Sequence, residues 1–267
     1  MAAVRLADYR PAPFLIDRTD LTLRLHHDHT VVEAELAFRP NPAAAGAPPQ
    51  PLLLRGVELE LEALSLDAEP LAPDAYRLEA EGLVIPAPPQ RPFRLNSRVR
   101  IHPERNTALE GLYVSGGLFT TQCEAEGFRR ITFHPDRPDL LSRFRVRIEA
   151  DRALCPVLLS NGNGVEAGPL PSGPDGEERH YAIWDDPFPK PSYLFAMVAG
   201  DLEEVRGSFT TASGRTVALR LHVEHGDAAS TAHAMASLQR SMAWDEQVYG
   251  LEYDLDEFNI VAVRHFN

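Results

Sequence analysis

The sequence predicts a mainly β chain: a β sandwich or saddle over residues 1–200, then strands and one helix over residues 201–267. Three observations lead there. Short runs of alternating apolar and polar residues recur along the first part, the period of a half-buried strand. Turn-forming Gly, Pro, Asn and Asp separate these runs, and no helical periodicity interrupts them. Beyond residue 200, Met235, Leu238, Met242 and Tyr249 recur at helical spacing.

The elements follow in order. Leu21–Leu25 and Val31–Phe38 alternate as paired strands, with His26-His27-Asp28-His29 at the hairpin tip. The Pro- and Ala-rich stretch from Asn41 to Pro51 is poor in ladder donors and reads as a surface loop. Strand-like runs follow at Leu52–Leu54, Val57–Leu66, Gly82–Ile85 and Arg98–Ile101, parted by turn residues such as Pro73-Asp74 and Pro86. Ser142–Ile148, Pro156–Leu159, Tyr181–Trp184 and Tyr193–Val198 continue the pattern. Asn161-Gly162-Asn163-Gly164 reads as a turn, because Asn and Gly accept positive φ at little cost. The helix is expected over residues 228–249, capped by Asp227 or Ser230 and stopped by Gly250. A last strand is expected over Phe258–Val263. With no element after it, the pattern reads as a chain interrupted inside a second domain.

Composition narrows the function classes. The chain has 267 residues, 44% apolar and 24% charged, ordinary values for a globular protein with a real core. Its 26 basic and 39 acidic residues leave a formal charge of −13, without the basic footprint that nucleic-acid binding requires. Two cysteines, Cys123 and Cys155, do not make a disulfide framework or a thiolate metal site. Met1 to Phe14 carries Arg5, Asp8 and Arg10 and no apolar run, unlike a signal peptide. Nothing approaches the roughly 18 apolar residues of a membrane span. A cytoplasmic location and no membrane partner are the expectation.

The richest stretch for chemistry is Thr121-Gln122-Cys123-Glu124-Ala125-Glu126-Gly127. On a strand, Gln122 and Glu124 share one face and Cys123 takes the other; Glu126 points with the first pair. An amide beside a carboxylate can hold an ammonium group, the carboxylate as counter-ion and the amide oxygen as second acceptor. The spacing alone fits a solvated strand face equally, and that is its commoner meaning.

Seven segments carry a resemblance. NTALEGLY (106–113), TQCEAEGFR (121–129), DRPDLLSRF (136–144), LLSNGN (158–163), WDDPFPKPSYLFAMVAGDL (184–202), TASGR (211–215) and WDEQVYGLEYDLDEFNIVAV (244–263) resemble, in order, bacterial aminopeptidase N. That family comprises zinc-dependent alanyl-type aminopeptidases of the gluzincin class. The resemblance implies an N-terminal β saddle over 1–200 and the beginning of a thermolysin-like α/β catalytic domain over 201–267. It also implies that Glu124 binds the free α-amino group of a peptide, together with a Glu from a Gly-Ala-Met-Glu-Asn motif, while Gln122 lines the same site.

One departure matters. The family's zinc is held by H-E-x-x-H on a helix plus a more distant Glu, the Glu within the motif acting as general base. No H-E-x-x-H occurs in the sequence. The resemblance places that motif, and the Gly-Ala-Met-Glu-Asn motif before it, beyond Asn267. The expectation is therefore a chain truncated before the zinc site: inactive alone, without catalytic residues or metal ligands of its own, and packing on missing catalytic and C-terminal domains. Zinc and peptide substrates, held by their free N-terminus, belong to the intact parent. The alternative is a non-catalytic β-rich binding or interaction module.

Other candidates read as structural. His26, His27 and His29 form a polar hairpin tip, split between faces. His222, Glu224 and His225 belong to a strand with its polar face outward. Cys123 is a buried strand cysteine without a partnered base. Trp184, Trp244 and Phe188 are core or junction packing, and Pro187, Pro189 and Pro191 stiffen the approach to the next strand.

Overall fold

A computed structural model describes residues 5–44, 48–173 and 176–263. The chain is mainly β as expected, its described strands forming four sheets with a single α-helix. The largest sheet has eight strands. Their order is Asn163–Pro169, Arg179–Lys190, Ser142–Asp151, Phe14–Leu25, Thr30–Pro40, Phe93–Ile101, Glu60–Leu66 and Glu69–Pro70. Of the seven neighbouring pairs, only Phe14–Leu25 beside Ser142–Asp151, the fourth and third strands, runs parallel.

Period-2 patterning fixes which face of this sheet is buried. Leu21, Leu23 and Leu25, Val32, Leu36 and Phe38, Leu95 and Val99, and Phe144 and Ile148 all enter one core. The opposite face carries an ion-pair ladder: Arg24 and Arg98 both meet Glu33, and Arg98 and Arg100 both meet Glu62. Each exposed pair stabilises by at most about 1 kcal/mol, but opposite charges facing across strands favour the observed register.

Two smaller sheets share that core. One has the order Leu52–Arg55, Gly82–Ile85, Arg77–Glu79. The other has the order Val157–Ser160, Met197–Gly200, Leu118–Gln122, Gly111–Ser115, and contributes Leu112, Leu158, Met197 and Ala199.

The carboxy-terminal sheet has a separate apolar cluster. Thr216–Val223 lies between Glu203–Thr210, antiparallel, and Glu257–Val261, parallel. A parallel pair needs a crossover, and the helix Ala232–Tyr249 supplies it. Val217, Leu219 and Met242 are buried there, with Met235, Leu238, Tyr253 and Phe258 packed against them.

Several expectations need correction. Some strands outrun the predicted runs: Arg179–Lys190 is paired through Asp185 and Asp186 and again at Lys190, with residues 187–189 bulged out between. Others start late, at Glu60 rather than Val57 and at Met197 rather than Tyr193, where a 3-10 turn spans Ser192–Leu194. Pro187 and Pro189 thus lie in a strand rather than before one. Asn161 and Gly162 turn the chain, with Gly162 at φ +90°, but Asn163 already starts a strand. Neither Asp227 nor Ser230 caps the α-helix. A short 3-10 turn spans Ala228–Ser230, and the helix is entered from Thr231, whose hydroxyl donates back to Ala228 O. Gly250 does end it, at φ +66°. Tyr249, Trp244 and Phe188 are exposed rather than core, whereas Trp184 is buried with its indole N–H donating to Leu158 O. Part of the predicted loop at Asn41–Pro51, residues 45–47, lies outside the described residues.

Candidate functional site

Gln122 is the last residue of its strand, paired with Gly111. The ladder stops there because the chain folds into a turn, closed by Gly127 N–H donating to Cys123 O at 2.8 Å. Two glycines make the turn possible. A Cβ on Gly127 would stand 2.3 Å from Gln122 O and 2.7 Å from Gly111 N, and Gly111 itself has φ +71°. Any side chain at Gly127 would force the turn off the neighbouring strand. The Glu124–Ala125 peptide bond within the turn is cis.

Glu124 therefore lies beyond the strand, not two places along its face. Gln122 and Glu124 remain neighbours through a different contact: Gln122 Nε2 donates to the backbone oxygen of Glu124 at 3.3 Å. Gln122 is half-buried and Glu124 exposed. Among the described residues the Glu124 carboxylate has no hydrogen-bond or ion-pair partner, although Glu126 is paired with Arg129 at 3.0 Å. Cys123 points inward, 2% exposed, and burial pushes its thiol pKa up, so it is no nucleophile.

A polar scaffold that the sequence reading did not single out holds the turn from behind. Arg129 Nε donates to Asp136 Oδ2 at 2.7 Å, in addition to its contact with Glu126. The Asp136 side chain is 1% exposed and also accepts from Ser192 Oγ at 2.7 Å. Arg129 O accepts from Val57 N–H at 2.9 Å. The turn is thus tied to three separate chain segments. Charge-assisted bonds of this length are the stronger class.

His134 adds a pH dependence. Its Nδ1 accepts from Asp136 N–H at 3.1 Å, which leaves the proton on Nε2, and burial lowers its pKa from 6.5 to about 4. The unfolded chain binds this proton more readily, so the neutral ring contributes stability above pH 6.5 that is lost as pH falls towards about 4. Denaturant unfolding across that window is expected to show a loss of about 3 kcal/mol, and His134→Gln to flatten it.

The other candidate groups are resolved individually. His26 and His29 stack with centroids 4.6 Å apart instead of splitting between faces, because the hairpin tip turns them together. His222 is 1% exposed rather than outward, its Nε2 3.1 Å from Asn259 Oδ1, while His225 meets Asp201. Among the described residues no three His, Cys, Asp or Glu side chains are grouped to hold a metal ion. The described residues do not fit a zinc site. No helix among the described residues is long and apolar enough to cross a membrane.

Comparison with known proteins decides the family. The model of the peptidase M1 N-terminal domain matches residues 67–194. Residues 67–194 carry a peptidase M1 N-terminal domain. Aminopeptidase N of Caulobacter vibrioides is 54% identical to it over 99% of this chain and 29% of that protein. Aminopeptidase N of Escherichia coli is 49% identical over 97% of this chain and 28% of its own length. The chain bearing this M1 domain therefore spans under a third of these relatives. Aminopeptidase A of Legionella pneumophila, solved in complex with aspartic acid, superposes over 98% of this chain and 30% of its own, with a TM-score of 0.92 at 32% identity. An M1 zinc metallopeptidase from Deinococcus radiodurans shares the M1-domain fold at 16% identity, TM-score 0.76.

Proposed function

We propose that this chain is the N-terminal part of a zinc metallo-aminopeptidase that releases N-terminal amino acids from peptides, and that Glu124, assisted by Gln122, binds the substrate α-ammonium. The observation carrying the proposal is an exposed carboxylate at Glu124, without a partner among the described residues, on a turn whose neighbouring charges are paired. An exopeptidase must count from the chain end, and only that end bears an α-ammonium. A carboxylate facing it, with an amide beside it, makes a site that an internal peptide bond cannot satisfy.

The proposal includes a division near residue 200, with the first unit forming one wall of the substrate chamber and the second beginning the catalytic unit. Zinc, its ligands and the general base come from outside this chain, which alone is inactive. The protein acts in the cytoplasm. The high identity to proteins named aminopeptidase N over nearly all of this chain supports the reading.

The test compares alanine p-nitroanilide with its N-acetyl form on the full-length protein. Cleavage of the free amine is expected to be favoured about a hundredfold or more, the scale of a lost buried charge pair. Equal rates would sink the proposal.

A further inference from the structure

The carboxy-terminal sheet has its own apolar cluster and also packs Val261 against the main core, a contact that by itself fixes no particular angle between the two sides. Packing at the seam is loose: a groove of about 580 Å³ separates Leu158, Tyr181 and Trp184 on one side from Glu204, Arg220 and His222 on the other. Beside this groove the two sides meet through directional bonds. Asn163 and Asp256 bond reciprocally, Asp256 N–H donating to Asn163 Oδ1 at 2.9 Å and Asn163 Nδ2 to Asp256 Oδ2 at 3.3 Å. Next to them, Gly164 N–H donates to Glu257 Oε1 at 2.8 Å.

Glu257 is 8% exposed, and its carboxylate also takes Arg220 and the Asn259 amide. Asn161 anchors the other end of the same loop, accepting from Ala196 N–H at 2.7 Å and donating to Leu194 O at 3.2 Å.

The loop's position gives these contacts a consequence. Val157–Ser160 and Leu118–Gln122 are both antiparallel to Met197–Gly200, one on each side of it, so they leave the sheet at the same end. One continues into the Asn161-Gly162 turn and the strand that starts at Asn163, the other into the Glu124 turn. Two strand spacings put these exits about 10 Å apart. Ser160 pairs with Met197, and the Thr121 hydroxyl bonds both Met197 N–H and O, so a single strand end carries both exits.

We propose that Asn163 and Glu257, with Asp256 and Gly164, form a latch that sets the carboxy-terminal sheet at a fixed distance and angle from the Glu124 turn. They are positioning residues for the amine-binding site, an inference that rests on the reading of Glu124 given above. In the proposed function the catalytic unit that begins with this sheet works against Glu124, and such an arrangement tolerates little misalignment: a shift of about 1 Å can cost two orders of magnitude in rate.

The test uses the full-length protein carrying Asn163→Ala alone, and Asn163→Ala with Glu257→Ala. Hydrogen exchange is read over residues 161–164 and 256–257, and steady-state kinetics are read on a free-amine substrate. Exchange is expected to rise about tenfold on both sides of the seam, with KM rising about tenfold and kcat changing less. Unchanged exchange shows there is no latch. Faster exchange with unchanged KM shows a latch without a positioning role. Either result overturns the inference. Glu124→Gln run in parallel separates the two readings: if it leaves KM unchanged while the latch variants raise it, the amine-binding role of Glu124 is what fails.

Discussion

Glu124→Gln is expected to raise KM for free-amine peptides about thirtyfold or more in the full-length protein, with kcat changing far less. The α-ammonium does not react, so its counter-ion holds ground state and transition state alike, and losing it removes uniform binding. The substitution keeps the side chain's shape and deletes only its charge. Because Glu124 is exposed and has no ion-pair partner among the described residues, the unfolding free energy should stay within about 0.5 kcal/mol of the parent. That combination, an affinity loss without a stability loss, distinguishes a substrate contact from a structural one. Steady-state kinetics and a denaturant titration on the same preparation check both halves.

The second large effect is one of stability. Asp136→Ala is expected to destabilise the chain by about 3–5 kcal/mol, because it strips a buried carboxylate from Arg129 and leaves the Ser192 hydroxyl without its acceptor. Asp136 also sits at φ +47°, a region that Asn tolerates better than Ala. Asp136→Asn, which keeps both backbone preference and side-chain shape, should therefore lose markedly less. Urea unfolding of both variants reads the difference. A loss of unfolding free energy below about 1 kcal/mol for the alanine variant would mean that Arg129 is held by Glu126 alone.

Much of the fold is legible in the sequence because one face of each long strand is buried. Leu21, Leu23 and Leu25 announce their strand by period, and Gly82–Ile85 is found at both boundaries because Gly and Pro punctuate it. Legibility fails where tertiary contacts override local preference. Asp185, Asp186 and the two prolines after them read as a strand's end, yet pairing with Ser142–Asp151 carries the ladder on to Lys190. Glu203–Thr210 has little apolar alternation to announce it; it is a strand because Thr216–Val223 lies beside it.

The site shows the same division. The residue types at 122 and 124 suggest amine binding, but ideal strand geometry misplaces Glu124, since the turn is set by Gly111 and Gly127 approaching across the sheet. Asp136 and Ser192 lie 56 residues apart, and Gly164 and Glu257 lie 93 apart, so no local pattern could join either pair. The proposed role of Glu124 rests on the seven matched segments, whereas the polar scaffold behind it and the bonds from Asn163 and Gly164 to Asp256 and Glu257 are seen in the structure.

The decisive measurement is a cycle crossing Glu124 with the substrate's own charge. Full-length parent and Glu124→Gln are each assayed on a free-amine substrate and on its analogue with hydroxyl in place of the amine. The parent should prefer the amine about thirtyfold or more, and the variant should lose most of that preference. An equal preference in both proteins would mean that this carboxylate never meets the ammonium.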